Sequence, residues 1–80
     1  MYRLTYDLGV EAVHDALPPS ISEALTVALD TACQDPLGAT EPYGEDDGVM
    51  RWLITRQASA ILLIGHTLKT VTVLQIHYLG

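Results

Sequence analysis

The sequence contains few cations and a single cysteine. Four Lys and Arg residues stand against ten Asp and Glu residues, which gives a net charge of −6. Because Lys and Arg neutralise the phosphates of nucleic acids, this shortage counts against unassisted nucleic-acid binding. The only cysteine, Cys33, excludes an internal disulfide framework and a cysteine-based zinc finger.

Long apolar runs are also absent. The longest, residues 60–65, is far too short to cross a bilayer, and residues 1–7 lack the apolar core of a signal peptide. We therefore expect a cytoplasmic protein without membrane contact. The chain has 80 residues and is 49% hydrophobic and 18% charged. This composition is typical of a folded protein, and the length predicts a single domain over residues 1–80.

The first part of the chain is predicted to form a strand followed by a helix. Residues 2–6 alternate between apolar and polar side chains, as a short strand does. Asp7 is placed to cap a helix that extends to about Leu17. Pro18 and Pro19 then end this helix, because proline supplies no amide donor.

Two signals indicate a second helix. Ser20 and Glu23 match the capping box S-x-x-E, in which each side chain satisfies the other residue's free amide. An apolar stripe at helical spacing follows: Ile21, Ala24, Leu25, Ala28, Leu29 and Ala32. Asp35 and Pro36 end the helix. Residues 35–48, with two prolines, three glycines and five acids, predict a long loop without packed structure.

Three strands are predicted in the remaining chain, at residues 49–54, 58–65 and 70–78, all rich in Val, Ile, Leu and Thr. The resulting order β-α-α-β-β-β predicts an α+β fold, an antiparallel sheet with two helices packed on one face. The sequence has no glycine-rich phosphate loop and no metal-spaced histidine pair. We therefore expect no cofactor and no metal.

The turns between these strands decide which side chains share a face. We assume that Thr55 pairs with Gln57 and His66 with Lys69, and that side chains alternate strictly. The face expected to meet the helices then carries Met50, Trp52, Ile54, Ala58, Ala60, Leu62, Ile64, Val71 and Val73. The other carries Val49, Arg51, Leu53, Ser59, Ile61, Leu63, Thr72, Leu74, Ile76 and Tyr78.

The second of these faces is unusually apolar for a surface in contact with water, because two helices cover only one side of a sheet. We therefore predict that a protein partner, or a second copy of the chain in a homodimer, binds there. The predicted partner-binding residues are Arg51, Leu53, Ile61, Leu74 and Ile76. The alternative is that the assumed register is wrong by one residue.

Several segments resemble those of a known family. They are Y-R-L-T-Y at residues 2–6, Leu-Pro between the helices, Asp-Pro after the second helix, R-W-L at residues 51–53 and V-T-V-L-Q-I-H-Y at residues 71–78. Together with the length and the order of elements, they make the chain similar to the RelE/ParE family. This family comprises the toxin halves of bacterial toxin–antitoxin modules.

The resemblance implies an antitoxin partner and two activities. RelE-like members cleave mRNA in the ribosomal A site, whereas ParE-like members poison DNA gyrase. Arg51 matches the family's arginine at the start of the second strand, and His77 and Tyr78 match the terminal His-Tyr of some nucleases. With Arg56 as a second cation, these four residues form the candidate catalytic set. The arginines would hold the phosphate, and Tyr78 or His77 would act as acid or base.

The chain departs from the family pattern at two places. Ser59 and Ala60 occupy the position of a second arginine, and the acidic residues 45–47 replace a basic cluster. Because carboxylates near the site would repel RNA, the first hypothesis is a toxin-like protein that binds an antitoxin and a cellular target such as the ribosome or gyrase. The alternatives are a ribosome-dependent mRNA endoribonuclease and a non-toxic acidic interaction domain.

Each candidate catalytic residue also has a structural explanation. His77 is expected on the helix side as a hydrogen-bonded residue at the core edge, and Tyr78 as an aromatic that closes the apolar face. Arg51 is expected to need an anionic partner, which a structural carboxylate supplies as well as a phosphate does. Arg56 is expected to be a solvated turn residue.

Overall fold

The computed structural model describes residues 1–80, which form two helices and five strands. The elements are β1 (Arg3–Tyr6), α1 (Val10–Ala16), α2 (Pro19–Gln34), β2 (Glu41–Pro42), β3 (Met50–Ile54), β4 (Ala58–Gly65) and β5 (Thr70–Tyr78). The strands form one sheet in the order β1-β5-β4-β3-β2, with the helices packed on one face. The predicted α+β class and element order are confirmed, with β2 as an additional strand.

The core lies between α2 and the central strands. Ile21, Leu25 and Leu29 follow one another at a spacing of four, which places them on one face of the helix. They pack against the sheet residues Leu53, Ala58, Ala60, Leu62, Ile64, Val71 and Val73. Since a fully buried aliphatic side chain contributes about 1.5–3 kcal/mol, this layer is the main source of stability.

Helix α1 begins later than the sequence suggested. Asp7 does not cap it, because its carboxylate accepts a hydrogen bond from the Leu8 amide within the preceding turn. The helix starts at Val10, after Gly9 with a φ of 81°. Glycine adopts this left-handed conformation without a steric penalty, which explains why the chain turns here.

Helix α2 begins earlier than the sequence suggested. Pro18 is its N-cap and Pro19 its first residue, so the predicted capping box of Ser20 and Glu23 is wrong, and no side chain caps the helix. Proline has no amide that needs a partner, and its fixed φ suits the first helical turn. The proline pair therefore starts α2 as well as ending α1.

The predicted register between β3 and β4 is wrong by one residue. The Thr55 amide donates to the Ala58 carbonyl at 2.9 Å, so two residues rather than one separate the paired ends of the turn. Arg51 consequently pairs with Leu62 and not with Ile61. Because side chains alternate with a period of two, this single-residue change exchanges the two faces of β3.

The predicted turn between β4 and β5 is consistent with the structure, but a bulge changes the end of β5. Gly65 pairs with Thr70, as a His66–Lys69 turn requires. Between Ile61 and Leu62 the register then shifts, so that Leu74 has no partner in the ladder. The residues beyond this bulge lie on the face opposite to that predicted.

The two outer strands were not fully anticipated. β1 pairs with β5 in parallel, so the sheet is mostly rather than wholly antiparallel. β2 pairs with Arg51 and Trp52 through only two residues, Glu41 and Pro42. From Leu53 onward, the edge of β3 that faces β2 has no strand partner. No helix has the length and apolar character needed to cross a membrane.

Candidate functional site

Arg51 is a buried cation whose donors are used inside the molecule. Its side chain is about 6% exposed. Nε donates to the Thr40 hydroxyl, and Nη2 donates to the carbonyls of Thr40 and Leu37 at 2.9 and 3.4 Å. Nη1 forms an ion pair with Asp46 at 3.2 Å. Arg51 thus connects the acidic segment to the sheet. Its anionic partner is a carboxylate of the same chain, which is the structural explanation given for Arg51 above.

The segment after α2 is consequently more ordered than a free loop. Thr40 is buried and donates to the Pro36 carbonyl. The Asp47 carboxylate accepts a hydrogen bond from the Val49 amide, which lowers the pKa of Asp47 below its usual value. The prediction that residues 35–48 have no packed structure is therefore wrong, because Arg51 supplies donors to two carbonyl groups in this segment.

The face of the sheet away from the helices carries large exposed side chains near β2. Trp52 and Ile54 lie there and are 39% and 50% exposed, and Leu63 is 37% exposed. The Tyr43 ring stands edge-on to Trp52, with centroids 6.5 Å apart. Beside them is an open groove of about 350 Å³, lined by Ala39, Glu41, Trp52 and Ile54. We call Glu41, Tyr43, Trp52, Ile54 and Leu63 the open-face patch.

The predicted partner-binding residues do not share this exposed face. Leu53 is in the helix-side core, Ile76 packs against that core, and Arg51 is buried. Ile61 lies on the open face but is only 7% exposed, between its partners Trp52 and Gln75. The grouping of Arg51, Leu53, Ile61, Leu74 and Ile76 on one surface is therefore wrong, because both the turn and the bulge change the alternation.

Three of the four catalytic candidates lie at one end of the sheet. Arg56 lies in the turn before β4, and the adjacent Gln57 carbonyl accepts from the Leu79 amide at 2.8 Å. His77 and Tyr78, at the end of β5, pair with Ser59 and Ala58. Arg51 lies apart from them, since its partner Leu62 is four residues along β4 from Ala58, about 13 Å at 3.3 Å per residue.

His77 and Tyr78 point to opposite sides of the sheet. His77 shares the open face with Ser59 and is exposed, so its predicted position on the helix side is wrong. Its Nε2 is 3.1 Å from the Gln75 side-chain oxygen. Tyr78 pairs with Ala58 on the helix side and is 52% exposed. The two side chains cannot approach one substrate from the same face.

A buried histidine forms a network that the sequence did not reveal. His14 is 5% exposed, and its Nδ1 lies 2.8 Å from the Tyr6 hydroxyl. Its Nε2 lies 2.9 Å from the Ser22 carbonyl and 3.1 Å from the Thr26 hydroxyl. A carbonyl can only accept, which places hydrogen on Nε2; in the neutral imidazole Nδ1 then accepts from the Tyr6 hydroxyl. The network joins β1, α1 and α2.

Burial raises the pKa of Tyr6, which belongs to this network, and the pKa of Cys33. Tyr6 has a pKa above its usual value, mainly because burial disfavours the phenolate, with Glu11 and Asp15 adding repulsion. Burial also raises the pKa of the Cys33 thiol, and Asp30 contributes. A buried thiol of raised pKa is a poor nucleophile, so Cys33 acts as a small core residue.

The open-face patch was missed because four of its five members were assigned to other places, whereas Leu63 was expected on the face away from the helices, where the structure has it. Trp52 and Ile54 were expected beneath the helices, and Glu41 and Tyr43 in an unstructured loop. The sequence pointed to the patch only through the alternative that the assumed register is wrong by one residue. That shift exchanges the two faces of β3, as observed. No group of three or more His, Cys, Asp or Glu side chains is placed to hold a metal ion.

Comparison with solved structures identifies the fold. The isolated RelE toxin of E. coli superposes with a TM-score of 0.84 at 17% identity, over 100% of this chain and 86% of that one. The chain has the RelE toxin fold. A RelE-like chain in the intact E. coli RelBE toxin–antitoxin complex gives a TM-score of 0.82 at 17% identity, over 100% and 99% of the two chains.

A third RelE-like structure comes from another organism. It is the RelBE2 toxin–antitoxin complex of Mycobacterium tuberculosis, with a TM-score of 0.81 at 18% identity and 96% of both chains covered. No protein-family model matches the sequence, and no curated protein sequence matches it either. The resemblance drawn from the sequence motifs is thus confirmed for the fold.

Proposed function

We propose that this chain is the toxin component of a toxin–antitoxin pair and that it acts by binding other proteins. The observation that carries this proposal is the RelE-like fold, which extends over 96–100% of the chain in the three comparisons. Two of those structures are toxin–antitoxin complexes. An antitoxin is therefore the first partner, and the ribosome or DNA gyrase is the cellular target.

The exposed surface supports a binding role. In the open-face patch, Trp52 and Ile54 are neighbours on one face of β3, and Leu63 is diagonal to Trp52 across the pair of strands. Contiguous apolar surface on a small protein typically marks an interaction site. Aromatic residues such as Trp52 and Tyr43 are enriched at such sites, because one ring buries a large area at a small entropic cost.

The second candidate is a ribosome-dependent mRNA endoribonuclease, for which the position of Arg56 and His77 at the same end of the sheet is the specific support. Cleavage needs a base at the 2′-hydroxyl and cations on the phosphate. Arg51 already donates to Asp46 and to two carbonyl groups, so Arg56 is the one cation at this end of the sheet. We therefore place protein binding first.

Induced expression in a bacterial host tests these candidates. Growth arrest with intact mRNA supports action by protein binding, and loss of DNA supercoiling would then identify gyrase as the target. Arrest with transcripts cut at the ribosome supports the nuclease, which Arg56→Ala or His77→Ala should weaken. Arg3→Ala is the matched control, because Arg3 is exposed and pairs with Thr70, at the end of β5 opposite to His77.

The antitoxin should be encoded by a neighbouring gene for a small protein with a DNA-binding head and a helical tail. Co-expression with it should restore growth, and the two proteins should purify together. No arrest at a soluble expression level contradicts the toxin proposal and favours a non-toxic interaction domain. Sedimentation of the purified chain distinguishes a monomer from a homodimer.

A further inference from the structure

We propose that the open-face patch is the docking site for an Arg- or Lys-bearing apolar segment of a protein partner, which binds with its cation against Tyr43, Trp52 and Glu41. The inference rests on the proposed function only in that the antitoxin is the expected owner of the segment. The chemistry of the segment follows from the patch itself.

The apolar part of the segment is indicated by the side chains of the patch. Trp52 and Ile54 are two residues apart on β3 and point to the same side, with Leu63 nearby on β4. The groove beside them is open to solvent and is lined by Ala39, Trp52 and Ile54 together with the polar Glu41. Aliphatic side chains of a partner can fill this groove and cover the exposed part of Ile54.

The cationic part is indicated by the aromatic pair and the unpaired carboxylates. Tyr43 and Trp52 meet edge to face, which leaves ring surface open to a cation. Glu41 lines the same groove, and its carboxylate has no cationic partner. A guanidinium placed there would contact both a ring and a carboxylate, an arrangement that suits Arg in particular.

The charges around the patch favour the same occupant. Glu45 and Asp47 follow Tyr43 in the hairpin between β2 and β3, and neither forms an ion pair. The one nearby pair joins Asp46 to Arg51, whose cation is buried while the Asp46 side chain remains 78% exposed. The resulting negative field attracts a basic segment and repels an acidic one.

The position of Arg56 predicts the direction in which the segment runs along β3. It lies two residues beyond Ile54, at the end of β3 away from the acidic hairpin. A segment that follows β3 should therefore place its cation near Glu41 and its neutral or acidic end near Arg56.

Trp52 is the only tryptophan in the chain, so its fluorescence reports directly on the patch. Relative to a free tryptophan derivative, quenching by caesium ions should be enhanced and quenching by iodide ions reduced, because the local field is negative. An acetylated pentapeptide of alternating leucine and arginine should shift its emission. The same peptide with glutamate in place of arginine should leave the emission unchanged. Added salt should weaken binding of the arginine peptide, because it screens the charges.

Glu41→Gln is the decisive variant, because it removes one charge and the Glu41 side chain forms no hydrogen bond within the chain. It should weaken arginine-peptide binding by about threefold or more at low salt. Glu23→Gln, which removes an exposed charge from the distant helix α2, should leave binding unchanged. Thermal unfolding of both variants confirms that they fold.

Three results would overturn the inference: equal binding of the glutamate peptide, no binding of the arginine peptide, or a homodimer that already covers Trp52. Growth arrest is measured separately with the same variants. Arrest without peptide binding contradicts the docking inference alone. Peptide binding without arrest supports the docking site and contradicts the toxin role.

Discussion

The two faces of the sheet have similar apolar character but different surroundings. On the helix side, Ala58, Ala60, Leu62, Val71 and Val73 have no measurable exposure, because α2 covers them. On the open face, Trp52, Ile54 and Leu63 retain between a third and a half of their surface in water. The comparison separates stability from binding, since the same residue types stabilise the fold on one side and are available to a partner on the other.

Two consecutive leucines provide the strongest test of this difference. Leu62→Ala should destabilise the protein by about 2–5 kcal/mol, because it opens a cavity in the core. Leu63→Ala, the matched change on the open face, should cost less than about 1 kcal/mol. Urea unfolding followed by circular dichroism measures both. Similar losses for the two variants would contradict the assignment of the faces.

Substitution of Arg51 tests whether this cation on the helix side of β3 stabilises the folded protein. Arg51→Met should destabilise the protein by about 2–3 kcal/mol, because the carbonyls of Leu37 and Thr40 lose their donors. Arg56→Met should change stability by less than about 0.5 kcal/mol, since that side chain is exposed. Chemical unfolding compares them. A stable Arg51 variant that loses activity would instead restore Arg51 as a catalytic candidate.

Tyr6 tests the contact between β1 and the helices. At neutral pH, Tyr6→Phe should cost about 1 kcal/mol, because His14 loses the donor to its Nδ1. The raised pKa of Tyr6 means that the folded state holds the phenolic proton more tightly than the unfolded state does. This stabilisation is complete below about pH 10 and is lost as the pH rises through the folded value.

The measurement is thermal unfolding of the original protein and the Phe variant between pH 7 and about pH 11. The stability of the original protein should fall more steeply above about pH 10. A constant difference between the two across this range would show that Tyr6 does not titrate differently in the folded state.

A stability effect as small as that of Arg56→Met is expected at the edge of the open-face patch. Ile54→Thr keeps a β-branched side chain and removes apolar surface that is half exposed, so stability should change by less than about 0.5 kcal/mol. Binding of the partner should weaken far more. Parallel unfolding and co-purification measurements with the antitoxin check this, and a large loss of stability would place Ile54 in the core.

The sequence predicted the order of elements well because helices and strands depend on local periodicity. The spacing of Ile21, Leu25 and Leu29 identified α2, and the runs rich in Val and Ile identified β3 to β5. The sheet faces were harder to predict, since a turn with one more residue exchanges them. The segment after α2 was assigned no structure, because its anchor, Arg51, is distant in sequence from Leu37 and Thr40.

The candidate site was therefore only partly predictable. The location of Arg56, His77 and Tyr78 at one end of the sheet follows from strand order alone, but the structure places His77 and Tyr78 on opposite faces of that end. Their catalytic roles stay predictions, as does partner binding by Leu74 and the other predicted contacts. The patch around Trp52 needed the true register, which the bond between Thr55 and Ala58 determines.

The amino-acid sequence alone determined that this is an acidic α+β protein with two helices and three consecutive antiparallel strands, because composition and periodicity act within single elements. Only the tertiary structure decided that Arg51 is buried, that His14 joins β1 to both helices, and that Trp52 faces the solvent. Each of these depends on hydrogen bonds between residues far apart in the chain, or on turns and a bulge that shift side chains by one position. A difference of one residue in a turn or a bulge is small, but it moves every following side chain of that strand to the other face of the sheet.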